Sequence, residues 1–189
     1  MKVQKTHTDR TREELLREQL IGFLPRMRRF ARGLARDPDR ADDLVQESCE
    51  RALSRLEQFK EGSRLDSWIY RIIYTRWIDR LRRSKTRSMH LTVLKGSGDQ
   101  LVPSGETQRP LKEALDLKAG LAALPEDHRA SILLVIVEGY SYSEAATVMD
   151  VPAGTVASRV ARARAALNRL LDRKYRDNFR AATSGKNRR

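Results

Sequence analysis

Wherever apolar residues recur in this chain, they recur at three- and four-residue spacing. Leu16, Leu20, Phe23, Leu24, Met27, Phe30 and Leu34 form the first series, and such a stripe covers one face of an α-helix. A second run, DRADDLVQESCERALSRLEQF, turns Leu44, Val45, Cys49, Ala52, Leu53 and Leu56 inward. A third, LDSWIYRIIYTRWIDRLRRSK, carries Ile69, Ile72, Ile73, Trp77 and Leu81. No alternating pattern of any length interrupts them, so the sequence predicts an all-α fold. Pro38 is placed to open the second helix, and Gly62 with Ser63 to separate it from the third.

The character changes between about Ser84 and Pro110, where Gly, Ser, Thr, Pro and Gln follow one another without a period. A stretch of that length between compact pieces is a linker or a functional loop. Helical spacing then resumes in LKEALDLKAGLAAL, PEDHRASILLVIVEG and SYSEAATVM. The expected organisation is two small helical domains, residues 12–84 and 112–175, joined by a flexible linker over 85–111. Residues 1–11 and 176–189 are read as flexible tails. A chain of 189 residues has room for one ordinary domain or two small ones.

A net charge of +13 points to a polyanionic partner. Ribosomal, DNA-binding and membrane-surface proteins share that bias, so it names only a class of ligand. The charge is concentrated: residues 152–189 hold eleven basic and two acidic side chains, a net of +9. A single cysteine, Cys49, excludes an internal disulfide and reads as a packing residue rather than a nucleophile. The N-terminal stretch MKVQKTHTDRTREELL lacks the apolar core of a signal peptide. The longest apolar run, SILLVIVEGY, is too short to span a bilayer. Both point to the cytoplasm.

GYSYSEAATVMDVPAGTVASRVARARAALNRLL has the order of a helix-turn-helix. Gly139 closes one helix, and Ser141 with Glu144 three residues on forms a capping box for the next. Ala145, Ala146 and Met149 make a small apolar face, and Asp150, Val151 and Pro152 form the turn. The last helix is expected to bury Val156, Val160, Ala163, Leu167 and Leu170. That leaves Thr155, Ser158, Arg159 and Arg162 outward near its start, where a recognition helix meets base edges in the major groove. A solvated arginine face would show the same spacing, but cap, turn and basic helix agree on DNA.

The N-terminal half carries two further features. Asp39, Asp42, Asp43, Gln46, Glu47 and Glu50 lie outside the apolar stripe of the second helix. In so basic a chain this patch suits a protein partner with a basic surface. Asp43 and Glu47 have the i, i+4 spacing of helix-borne metal ligands, but no histidine lies nearby; plain solubilising charge is the other alternative. In SRLDSWIYRIIYTRWIDRLRRSKTR, Trp68, Tyr70, Tyr74 and Trp77 interleave with Arg64, Arg71, Arg76, Arg80, Arg82 and Arg83. Aromatic planes among cations suit single-stranded or melted nucleic acid. Trp68 and Trp77 read better as packing residues, which leaves the arginines and the KEGSR loop as the functional part.

Together, an acidic partner-binding helix, a strand-handling helix, a linker and a helix-turn-helix resemble an extracytoplasmic-function sigma factor of the sigma-70 family. ADDLVQESCERAL matches region 2.2, GSRLDSWIYRI with WIDRLRR matches regions 2.3–2.4, and residues 124–167 match region 4. RLDSWIYRI and VEGYSYSEAA are similar to the alphaproteobacterial general-stress-response subgroup. The resemblance implies that Asp43, Leu44, Gln46 and Glu47 bind the clamp helices of the polymerase β′ subunit, with further contact to the β subunit. It implies that the loop Glu61 to Asp66, including Ser63, Arg64 and Asp66, captures an unstacked base of the −10 element with Trp68 and Arg71. Arg80, Arg82 and Arg83 would hold the backbone of that element, and Thr155, Ser158, Arg159 and Arg162 would read the −35 element. The linker would thread towards the RNA exit channel. Such proteins are not enzymes, need no cofactor and are held when free by an anti-sigma factor; the residues themselves point to no metal site and no membrane insertion. The chain departs from the family pattern at Thr75 and Ala157, so promoter preference does not carry over.

Three rivals use the same residues differently. A conventional dimeric repressor or activator would bind duplex DNA tightly by itself. An RNA-binding or ribosome-associated protein would be indifferent to the helix-turn-helix arginines. A nucleic-acid enzyme lacks support, because no carboxylate cluster, Ser/His pair or phosphate-binding glycine loop is present.

Overall fold

The computed structural model describes residues 7–60, 62–91 and 117–184, and every regular element among them is helical. The first bundle contains α1 (His7–Ala35), α2 (Pro38–Leu53) and α3 (Leu65–Leu91), with a short 3-10 turn at Leu56–Gln58. The second contains a helix over residues 117–123 (α4), α5 (Glu126–Ile132), α6 (Tyr142–Met149) and α7 (Ala153–Ser184). The expected two-part all-α architecture is present. Three boundaries differ from expectation: residues 7–11, 85–91 and 176–184 extend α1, α3 and α7 as helix. The rest of the expected linker lies outside the described residues.

Local chemistry sets the ends. The Asp37 side chain accepts the Arg40 N–H at 2.8 Å and Pro38 begins α2, so a cap and a preset φ start the helix together. Ser141 and Glu144 form the reciprocal capping box at the head of α6. Asp150 ends that helix in the left-handed region at φ 57°, a conformation Asp tolerates better than most residues. Gly139 takes φ 75° just before Ser141, at the end of the run that follows α5. Between Ile132 and Gly139 the helix loosens into a π turn over Leu133–Val137, which the sequence did not signal. The extra residue lets Glu138 N–H donate to the Leu133 carbonyl at 3.0 Å and turns the Glu138 side chain back towards α1.

The two bundles do not keep separate interiors. Met27, Phe30 and Leu34 of α1, Leu44 of α2 and Ile69, Tyr70 and Ile73 of α3 share one buried cluster with Leu134, Val148, Val156 and Val160 of the second bundle. The Tyr70 ring meets Phe23, Phe30 and Tyr140 edge-on, with centroids 5.1, 4.9 and 5.5 Å away. Edge-to-face packing of this kind adds about 0.5–1.5 kcal/mol per pair beyond area burial. Gly33 lets α1 approach α5: a Cβ there would sit 2.7 Å from a Leu133 methyl.

Leu124, Ile132, Ala163 and Leu167 form a smaller cluster under α7. Leu170, expected inside, is 37% exposed instead, because the elements that cover α7 pack against its first four turns. Cys49 is half-buried, and burial pushes its thiol up.

Candidate nucleic-acid interface

The outer face at the start of α7 is set by Pro152, whose carbonyl accepts the Thr155 N–H at 2.9 Å. Ser158 Oγ donates to the Thr155 carbonyl at 2.9 Å. Arg162 is exposed, as are Arg164 and Arg169. Arg159 differs: its Nη2 lies 2.8 Å from Asp127 of α5, and its side chain is 18% exposed. The other Asp127 oxygen accepts the Tyr74 hydroxyl of α3 at 3.1 Å. Burial, then the charge of Asp127, pushes Tyr74 up to about 12. Thr155, Ser158, Arg159 and Arg162 therefore line a cleft of about 970 Å³ whose opposite wall is Ile78, Leu81 and Arg82 of α3.

The second predicted surface begins at Gly62, which turns the chain at φ 76°. Ser63 follows it, exposed, and Glu61 lies outside the described residues. Arg64 grips Asp66 with two bonds, Nη2 to Oδ2 at 2.7 Å and Nε to Oδ1 at 3.2 Å. The Arg64 guanidinium also lies over the Tyr140 ring at 5.1 Å and pairs with Glu144. Burial pushes the Asp66 carboxyl up, but the Arg64 and Ser67 hydrogen bonds outweigh it and leave it below its ordinary value. Trp68 is half-buried against Phe59, ring centroids 5.4 Å apart, and Trp77 is buried. Packing is the main occupation of both rings, as their sequence context suggests.

Arg71 reaches the second bundle. It donates to the Thr147 carbonyl at 3.0 Å and lies 3.3 Å from Asp150. Trp68, Arg71 and Thr75 thereby border a cavity of about 430 Å³ closed on one side by Met149 and Asp150. Further along α3, Arg82 and Arg83 are exposed, while Arg80 is tied to Glu47 of α2 at 2.7 Å.

On α2, Asp43 is exposed and Gln46 donates to Glu50 at 3.1 Å. Leu44 corrects the expectation placed on it: it is 0% exposed, inside the main cluster. Position in the apolar stripe decides this, and Leu44 supports the acidic face from beneath. Among the described residues, no three His, Cys, Asp or Glu side chains gather as a metal site would need. None of their helices is long and apolar enough to cross a membrane.

Sequence reasoning missed Glu138. Its side chain is wholly buried between Arg29, 2.9 Å away, Arg26, 3.2 Å away, and the Tyr70 hydroxyl, which donates to it. Burial pushes its carboxyl up, and the bonds from Arg29 and Tyr70 more than reverse that. The one available signal was an acidic residue directly after a seven-residue apolar stretch, 131–137, with only Ser131 polar.

A bundle with one acidic and one aromatic–arginine helix, followed by a basic helix-turn-helix, defines a transcription initiation factor of the sigma-70 type. The model of Sigma-70 region 2 matches residues 22–87, and that of Sigma-70, region 4 matches 114–167. The ECF RNA polymerase sigma factor EcfG of Rhodopseudomonas palustris is 36% identical over 156 residues, 82% of this chain and 84% of that protein. The ECF sigma factor SigM of Mycobacterium tuberculosis is 34% identical over 145 residues, 77% of this chain and 71% of that protein. Among solved structures, the sigma factor RpoE of Bartonella quintana, in complex with the anti-sigma factor NepR, aligns with a TM-score of 0.70 at 30% identity. That match covers 82% of this chain and 96% of RpoE. The chain belongs to the extracytoplasmic-function RNA polymerase sigma factors, and within them it is similar to the general-stress-response type. It is a non-enzymatic factor that directs promoter-specific initiation.

Proposed function

We propose that the promoter is read in two places and the polymerase met in a third. Ser63 and Arg64 of the loop and Asp66 in the first turn of α3, with Trp68 and Arg71, take an unstacked base of the −10 strand, and Arg80, Arg82 and Arg83 hold its phosphates. An unpaired strand is suited to such a surface, because its bases are free to enter a cavity while the backbone meets cations. Thr155, Ser158 and Arg162 meet the −35 element as duplex, with Arg159 beside them. Each bidentate arginine–guanine pair contributes about 1–3 kcal/mol of discrimination. Asp43, Gln46 and Glu47 dock on the β′ clamp helices, and the β subunit supplies a further contact.

The observation that carries this reading is the division of charge between helices. Asp39, Asp42, Asp43 and Glu50 are exposed on α2, whereas Arg71, Arg82 and Arg83 are exposed on α3 and Arg162, Arg164 and Arg169 on α7. One acidic face suits a basic protein and two basic faces suit DNA. Thr75 borders the cavity beside Trp68, and Ala157 offers no polar group on the recognition helix, so both positions shape promoter choice.

The likeness to a sigma factor solved with its anti-sigma factor supports a comparable inhibitor for this chain, a cytoplasmic place of work and a role in a stress response. Run-off transcription from a genomic library, with core polymerase alone and with this protein added, tests the assignment. New start sites sharing two elements are expected. Their absence would refute it.

A further inference from the structure

The two arginines proposed for the −35 element are held in unlike ways. Arg162 is exposed and makes no hydrogen bond or ion pair among the described residues. Arg159, one turn earlier, gives Nη2 to Asp127 Oδ2 at 2.8 Å, and its side chain is 18% exposed. Its Nη1 is shielded from water and has no partner among the described residues. An unmet, desolvated donor on a charged group is costly to keep, and what it lacks is an acceptor of the kind a base edge carries. Asp127 lies in the first turn of α5 and Arg159 in the second turn of α7, so the pair belongs to the second bundle alone. Tyr74 of α3 takes only the other carboxylate oxygen. The Asp127 side chain is 43% exposed, so packing does not account for its place.

We infer that Asp127 is a positioning residue for −35 recognition: by holding Nη2 it sets the plane of the Arg159 guanidinium and leaves Nη1 for a base acceptor in the major groove. The inference deepens the proposed function and rests on Arg159 meeting the −35 element. An arginine side chain has many rotamers, and few of them bring two adjacent N–H groups to the N7 and O6 of a guanine. A carboxylate that fixes one nitrogen removes much of that freedom before DNA arrives, which favours the matching base. It also offsets the guanidinium charge. Attraction to any phosphate weakens, while the directional bond to a base edge remains.

The test is run-off transcription by the complete holoenzyme from one promoter found in the genomic library, with each −35 base pair replaced in turn. The readout is the ratio of the preferred pair to its replacements at every position. Arg159→Ala should erase the preference for a G·C pair at one position, a loss of about tenfold. Asp127→Ala should lower the preference there by about three- to tenfold and leave the ratios at other positions intact. Asp127→Asn keeps one acceptor oxygen and should fall between the native chain and Asp127→Ala; it carries the test should the alanine variant not fold. Adding Asp127→Ala to the Arg159→Ala chain should change nothing further. A uniform loss at every position overturns the inference, since a residue that merely supports the fold behaves that way. An unchanged ratio at the Arg159 position overturns it too. So does a shift that persists without Arg159, because Asp127 would then read the base itself. Those three outcomes leave the proposed function standing. Arg159→Ala without any lost base preference would instead remove Arg159 from the −35 element, and this inference with it.

Discussion

Glu47 and Arg80 join α2 to α3, with a carboxylate oxygen 2.7 Å from Nη2 of the guanidinium. Arg80 also donates to the Arg40 carbonyl at 3.1 Å, so it is held at two points two turns apart along one face of α2. The hydrogen bond from Arg80, helped by the charges of Arg76 and Arg83, keeps the Glu47 carboxyl below its ordinary value. A residue proposed to meet polymerase is thus bonded to one proposed to hold the −10 strand.

The pair is half open to water, which limits its strength. A double-mutant cycle of Glu47→Gln and Arg80→Gln should give a coupling of about 0.2–1 kcal/mol in denaturant unfolding at low salt. Molar salt should shrink it, because exposed charges are screened. A coupling that salt leaves intact would mean the pair is shielded from solvent in a way its exposure does not suggest.

Leu44 and Asp43 are neighbours with opposite prospects. Leu44→Ala should cost about 2–5 kcal/mol of stability, the usual effect of emptying a buried leucine site, and should lower every activity together. Asp43→Arg, on the exposed face, should leave the melting temperature near that of the native chain while weakening core polymerase binding. Calorimetry beside a polymerase pull-down separates the two effects.

Arg159 and Arg162 should also part company. Arg162→Ala removes an exposed side chain and should leave stability within about 0.5 kcal/mol, while transcription from −35-dependent promoters falls. Arg159→Ala breaks the link to Asp127 and should lower the melting temperature as well. Equal thermal behaviour of the two variants would show that the Asp127 contact contributes nothing to folding.

Glu138 predicts the pH window of the contact between bundles. Its folded carboxyl is depressed, so the stability it contributes is complete above the ordinary carboxylate range and is lost as pH falls through the lowered folded value. At the other end, burial and the adjacent Glu138 keep Tyr70 protonated, while an unfolded tyrosine ionises near pH 10. Stability should therefore decline again above about pH 10. Scattering and thermal melts across pH should show a plateau with both shoulders, and Glu138→Gln should flatten the acidic one.

Local rules explain what could be read in advance. Three- and four-residue spacing revealed the helices, Ser141 and Glu144 revealed the cap of α6, and Gly139 marked the end of the run before it. Such signals act within a few residues, so a sequence carries them openly. Arg64 and Glu144 are 80 positions apart, and nothing periodic connects them. The joint interior was hidden for the same reason: two apolar stripes look alike whether they face their own bundle or the neighbouring one. Leu44 shows the two kinds of reasoning side by side: spacing places it inward, where the structure has it, while the family resemblance assigns it a contact with polymerase.

Cys49, half-buried on α2 with a thiol pushed up by its surroundings, has a consequence for signalling. Peroxides and disulfides react with thiolate, and a thiol that resists deprotonation presents little of it at neutral pH. As the single cysteine of these 189 residues, it makes the chain a poor direct detector of oxidants.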